Sequence, residues 1–183
     1  DNKRLSTGKM IHSPSDDPVA LEASMRLRTM ISQHEQYAKN ISDAKAWLSL
    51  TESSLGQITE AVHRAREQAV KGASGTLTAD DRQDVAREIF QIRDDIFNIG
   101  NTRFADRYIF GGTRTQTAPF VYNNGTYEYV GMPGQADPAD PTVQAGSIAF
   151  EIGDGIEIKV GVHGDVTIMP IIEALGQLLT GLE

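Results

Sequence analysis

The chain has 183 residues, 17 of them basic and 25 acidic, for a net charge of −8 and no cysteine. An acidic balance with a pI near 5.0 excludes a nucleic-acid surface, which needs clustered Lys and Arg to displace counterions. The absent thiols exclude disulfides, thiol catalysis and thiolate zinc sites, and no apolar run reaches the ~18 residues of a membrane helix. At 39% hydrophobic and 7% aromatic the composition is lean for a globule, yet the apolar residues recur too regularly for a disordered chain.

The chain opens at Asp1 with no secretory apolar segment, and a longer natural N-terminus is expected ahead of it. Ser15-Asp16-Asp17-Pro18 predicts a helix start, with capping side chains before a proline whose missing N–H costs nothing in the first turn. From there to Gly72 a 3–4 spacing runs unbroken. Position a falls on Ala20, Leu27, His34, Ile41, Leu48, Leu55, Val62 and Ala69; d falls on Ala23, Met30, Tyr37, Ala44, Thr51, Ile58, Ala65 and Gly72. Only His34, Thr51 and Gly72 break the apolar seam, so one continuous helix is predicted, roughly 80 Å long at 1.5 Å per residue. In this register Trp47 flanks and shields the seam, and Leu48→Asp would bury a charge.

Lys71-Gly72-Ala73-Ser74-Gly75 suits a helix end. Thr78-Ala79-Asp80-Asp81 reads as a capping box for a second helix, whose seam is Val85, Ile89, Ile92, Ile96 and Ile99. The short turn predicts antiparallel packing. Phe90 and Phe97 lie one step off that seam, either under a returning helix or against a neighbouring subunit. From about Phe104 the period changes to two. Hairpins are predicted around Asn124-Gly125 and Gly153-Asp154-Gly155, separated by an irregular proline-bearing loop at 132–142. Helical spacing returns at Ile171, Leu175, Leu178 and Leu182. The expected fold is mainly α with an inserted β unit. A long antiparallel helical rod, coiled-coil-like, takes residues 1–103 and 167–183, and a small antiparallel β domain takes 104–166. The expected rod core is Leu27, Met30, Tyr37, Ile41, Leu48, Leu55, Ile58, Val62, Ile89, Ile92 and Ile96.

No catalytic or cofactor constellation emerges. His12, His34, His63 and His163 are not at ligand spacing, and His34-Glu35 is followed by Ala38 where a zincin needs histidine. Gly153-x-Gly155 lacks the third glycine and helix start of a phosphate loop. Asp137, Asp140 and Asp154 are too sparse for an EF-hand-type loop. The glycosylation sequons at Asn40 and Asn124 read as chance.

Arg4-Leu5-Ser6-Thr7-Gly8-Lys9, Ser15-Asp16-Asp17-Pro18-Val19-Ala20, Asn40-Ile41-Ser42-Asp43-Ala44 and Arg64-Ala65-Arg66-Glu67-Gln68-Ala69-Val70, in this order, resemble the N-terminal signature of the bacterial flagellin superfamily. Asp-Asp-Pro-Val at the rod's start, with Asn101-Thr102-Arg103 and Tyr108-Ile109-Phe110-Gly111-Gly112 after helix two, resembles its hook-associated branch, the hook–filament junction proteins. The resemblance implies a structural subunit, not an enzyme, with no metal or cofactor. It implies an extracellular location on the flagellum, reached unfolded through the type III pathway with an export chaperone. It also implies partners: other copies in a ring, a neighbouring hook-associated protein and flagellin, but no nucleic acid and no membrane. Arg4, Leu5, Phe90 and Phe97 are the expected subunit contacts, and a long C-terminal helix beyond Glu183 is expected to complete the seam. The rival readings are a filament flagellin and, from another class, a ligand-binding module or enzyme housed in the β unit. Arg64-Ala65-Arg66-Glu67 falls where flagellins carry an innate-receptor site; the plainer reading is a solvated face.

Overall fold

A computed structural model describes residues 18–75, 77–132 and 146–182. The rod is a single helix, α1 (Pro18–Gly72), and α2 (Ala79–Gly100) returns along its second half. Thr78 begins α2 with the predicted capping box. Its hydroxyl accepts from the Asp81 N–H (3.2 Å) while the Asp81 carboxylate accepts from the Thr78 N–H (3.1 Å), and these bonds hold the Asp81 pKa below its usual value. The predicted cap at 15–17 and the loop at 133–142 lie outside the described residues.

Helix lengths decide where the core sits. At 1.5 Å per residue α2 spans about 33 Å against about 80 Å for α1, so among the described residues half the rod has no helical neighbour. The residues of α1 that bury are Ala44, Trp47, Thr51, Ser54, Ile58, Ala61 and Ala65, with Gly72 at its end. Their spacing is also 3–4, but the stripe runs through d and the preceding g rather than through a and d. This corrects the expected register. Ile58, Ile89, Ile92 and Ile96 are buried as expected, and Leu55 and Val62 pack half-buried against them. Leu27, Met30, Ile41 and Leu48 are instead 59%, 47%, 47% and 43% exposed, and Tyr37 is half-buried. Leu27, Met30 and Ile41 lie beyond the reach of α2; Leu48 faces away from it. Trp47 does not shield the seam; it is the seam, 1% exposed with its ring edge-on to Phe104 at 5.8 Å.

Among the described residues three separate antiparallel hairpins follow. β1 (Arg103–Phe104) and β2 (Arg107–Tyr108) form one the sequence did not announce, because its turn residues Ala105 and Asp106 adopt φ of 45° and 64°, angles that Gly or Asn usually supplies. β3 (Phe120–Asn123) and β4 (Thr126–Tyr129) turn through Asn124-Gly125 as predicted, with φ 49° and 87°. β5 (Ala149–Gly153) and β6 (Ile156–Lys159) turn at Asp154-Gly155 with a register shift between Glu151 and Gly153. The chain ends in a short α3 (Gly164–Thr167) and α4 (Met169–Leu182).

The stretch Gly164–Leu182 has a mean hydropathy of 1.2, long and apolar enough by composition to cross a membrane, which corrects the expectation from unbroken run length. It is divided between two helices, and the 14 residues of α4 extend only about 21 Å against a bilayer core of about 30 Å. Ile109, Phe110, Phe120, Tyr127, Val160 and Ile168 share one apolar cluster with Trp47 and Ile96, so the core of the β unit is continuous with that of the rod.

Candidate assembly surface

The β unit is tied to the rod by backbone groups, because its two- to five-residue strands offer too few ladder bonds to hold it alone. Asn101, just past α2, uses its side-chain amide as a strand would. Its Nδ2 donates to the Phe120 carbonyl (3.0 Å) and its Oδ1 accepts from the Phe120 N–H (3.1 Å). The Phe120 ring then lies between Gly100 and Gly164, where an added Cβ would approach it to 2.8 and 2.6 Å; no side chain fits at either position.

Phe110-Gly111-Gly112 is the meeting point of the remaining segments. The Met132 N–H donates to the Gly111 carbonyl (3.0 Å) and the Gly164 N–H to the Phe110 carbonyl (3.0 Å), and Gly111 bridges to His163. The Tyr129 hydroxyl lies 3.0 Å from both the Phe110 and Met132 carbonyls. Burial, then the nearby Asp165 carboxylate, pushes the Tyr129 pKa up to about 12. His163 Nδ1 is 3.2 Å from the Met132 carbonyl, a structural role rather than a ligand role.

The β5–β6 hairpin lies back against the rod. Asn40 Nδ2 donates to the Glu151 carbonyl (2.6 Å), so the first sequon asparagine is a clamp. The Tyr37 hydroxyl is 3.5 Å from the Glu151 carboxylate; local desolvation, then Glu151 and Asp154, raises its pKa. Met30, His34, Ile41 and Ile152 line an open cleft of about 540 Å3 beside this contact. His34 meets Tyr37 edge-on at 6.2 Å. Among the described residues no group of acidic and histidine side chains is arranged to hold a metal.

One exposed face of α1 is apolar. From Leu27 and Met30 through Ile41 and Leu48 the free face of α1 leads to half-buried Leu55 and Val62. It then enters a groove of about 460 Å3 against α4, lined by Val62, Ala65, Ala69, Ile171, Ala174 and Leu178. A face of this length can receive another helix. Arg64 makes a 4.0 Å pair with Asp95 in which both side chains are exposed, a contact of little energy, while Arg66 and Glu67 are solvated.

Of the expected contact residues, Phe90 is 48% exposed. Phe97 is half-buried and packs edge-on against Tyr127 at 5.2 Å, under β4 rather than under the returning helix. Arg4 and Leu5 lie outside the described residues, as does His12. Sequence reasoning passed over Arg93, whose guanidinium stacks 4.1 Å from the Tyr127 ring centre; no spacing rule flags a lone arginine on a helix.

Residues 1–115 match the family model of the bacterial flagellin N-terminal helical region. Flagellar hook-associated protein 3 of Escherichia coli (strain K12) is 40% identical over 126 residues, covering 68% of this chain and 40% of that protein. The flagellar filament 30.7 kDa core protein of Treponema maltophilum is more distant, 29% identical over 122 residues, which cover 67% of this chain and 41% of that protein. A crystal structure of FlgL from Bacillus cereus is 26% identical with a TM-score of 0.65, covering 88% of this chain and 73% of that one. The chain thus spans about two-fifths of the length of the curated relatives it matches.

Proposed function

This chain belongs to the bacterial flagellin N-terminal family, and from that membership we propose that it is part of a structural subunit at the hook–filament junction of the flagellum. The observation that carries the reading is the difference in similarity: 40% identity to a hook-associated protein against 29% to a filament protein. The geometry supports a mechanical role. A helix of 55 residues, backed over half its length by α2 and α4, resists bending and transmits torque along its axis. Its free apolar face receives a further helix of the complete protein, and the hairpin unit at 104–166 faces neighbours. The partners on this reading are other copies in a ring, a second hook-associated protein and flagellin, with an export chaperone before type III secretion to the cell exterior. The proposal assigns no catalysis to the β unit.

Electron microscopy of the full-length protein, with and without isolated hooks, tests the reading. A layer of limited thickness on the hook tip is expected, and nothing in its absence. Long filaments without hooks would make it a flagellin. A saturable response of the β unit to divalent metals would favour a ligand-binding module.

A further inference from the structure

Arg93 is the least satisfied cation on the surface described. Its Nε is buried without a hydrogen-bond partner. The ion pairs among the described residues join Arg64 to Asp95, Arg87 to Asp84 and Arg103 to Asp106, leaving Arg93 out. Glu173 borders the same recess, a cavity of about 160 Å3, but does not pair with it. Two aromatic rings adjoin the guanidinium, Tyr127 at 4.1 Å and Phe90 at 5.9 Å, and Tyr122 lies beyond Tyr127, tilted against it at 4.7 Å. Phe90 and Tyr122 are 48% and 54% exposed. Tyr127 is buried and Arg93 half-buried, so the guanidinium sits on a buried ring with exposed Phe90 and Tyr122 at the rim. Arginine beside aromatic side chains is the composition that dominates binding energy at protein interfaces, and a guanidinium is suited to a carboxylate.

The complementary surface is on the same chain. In the β5–β6 hairpin Glu151 stands directly opposite Glu157, a like-charge cross-strand pair that costs stability, and Asp154 occupies the turn. None of the three has a cation partner among the described residues. Beside them Ile156 and Ile158 are 58% and 39% exposed. Lys159, two residues past Glu157 on β6, shares their face but forms no ion pair with them among the described residues. These acidic groups, set among apolar side chains, thus match a cation set among aromatic ones.

The two surfaces cannot meet within one chain. Arg93 lies near the level of the Arg64–Asp95 pair and the hairpin near Tyr37, roughly 40 Å apart along a helix rising 1.5 Å per residue. We infer that the β5–β6 hairpin of one copy docks on the Phe90–Arg93–Tyr122 surface of the next. A contact between unlike patches is heterologous, and such contacts close into rings or continue as helices. The inference rests on the junction reading and gives its ring a lateral contact. The patch is small and each copy carries a charge of −8, so the contact is weak in isolation and gains strength from repetition around the ring.

The absence of cysteine permits a clean test in the 183-residue chain. Thr126→Cys borders the Arg93 recess and Ile156→Cys sits at the hairpin turn, and both leave Arg93, Glu157 and Asp154 in place. The two variants, mixed at a few hundred micromolar under mild oxidation, are expected to give a disulfide heterodimer in clear excess over Thr126→Cys mixed with Ser53→Cys. Adding Arg93→Gln to the Thr126→Cys chain should lower that yield about fivefold, with the melting temperature measured in parallel to show that the fold persists. Heterodimer no more abundant than the control, or a dominant Thr126→Cys homodimer, would overturn the inference. A failed cross-link with a normal hook-tip layer sinks the contact alone; a failed layer with the cross-link intact sinks the junction reading.

Discussion

Replacing Trp47 by Ala tests the register of the rod. Trp47 is 1% exposed, and an aromatic side chain of its size removes roughly 200 Å2 from water, about 5 kcal/mol at 25 cal/mol per Å2. Residual structure in the unfolded chain lowers that by about a quarter. Its Nε1 is buried without a partner, so removing it returns about 1 kcal/mol or more. The net expectation is a loss of about 3 kcal/mol, at the lower end of the usual range for Trp→Ala. Trp47→Phe should cost only about 1 kcal/mol, since it keeps the edge contact with Phe104 and deletes the orphan N–H. Leu48→Asp, at a position 43% exposed, should cost about 1 kcal/mol, not the several that burial in an a/d seam would impose. Urea titration followed by circular dichroism at 222 nm reads all three. With a slope of about 2 kcal/mol per molar, Trp47→Ala shifts the midpoint by about 1.5 M and the others by about 0.5 M. A larger shift for Leu48→Asp than for Trp47→Ala would refute the g/d seam and restore the a/d one.

Tyr129 has a folded pKa near 12 against about 10 unfolded, so its contribution to stability is complete below pH 10 and lost as the pH rises toward 12. Tyr129→Phe should be less stable at pH 8 and lose less between pH 10 and 12, as thermal melts across that range will show. Asn40→Ala removes the clamp on Glu151 and should cost about 1 kcal/mol. Amide exchange should rise over residues 149–159 and stay unchanged over α2; equal protection in both proteins would mean that packing alone seats the hairpin. Ala105→Asn with Asp106→Gly relieves two positive φ angles and should stabilise the fold by about 1 kcal/mol, despite losing the exposed Arg103–Asp106 pair. An unchanged or lower midpoint would show that the turn is not strained.

Local interactions made much of this fold legible from the chain alone. The long helix follows from a 3–4 spacing without proline. The start of α2 follows from Thr78 and Asp81, two residues three apart whose side chains bond to each other's backbone, and the β3–β4 turn follows from Asn124-Gly125, whose backbone preference needs no outside contact. What the sequence could not assign is which side of α1 is inside. The a/d and g/d stripes share every d position, and Leu48 is as apolar as Trp47. Only the path of α2, crossing where Trp47 and Ser54 face it, decides between them, and its length leaves Leu27, Met30 and Ile41 beyond its reach. The β1–β2 turn was equally invisible, because Ala105 and Asp106 hold positive φ against their own preference. The Arg93 surface depends on residues from α2, β3 and β4 brought together with Gly176 of α4. No spacing encodes it, because its neighbours are set by the way hairpin and helices pack, and that is a property of the folded chain alone.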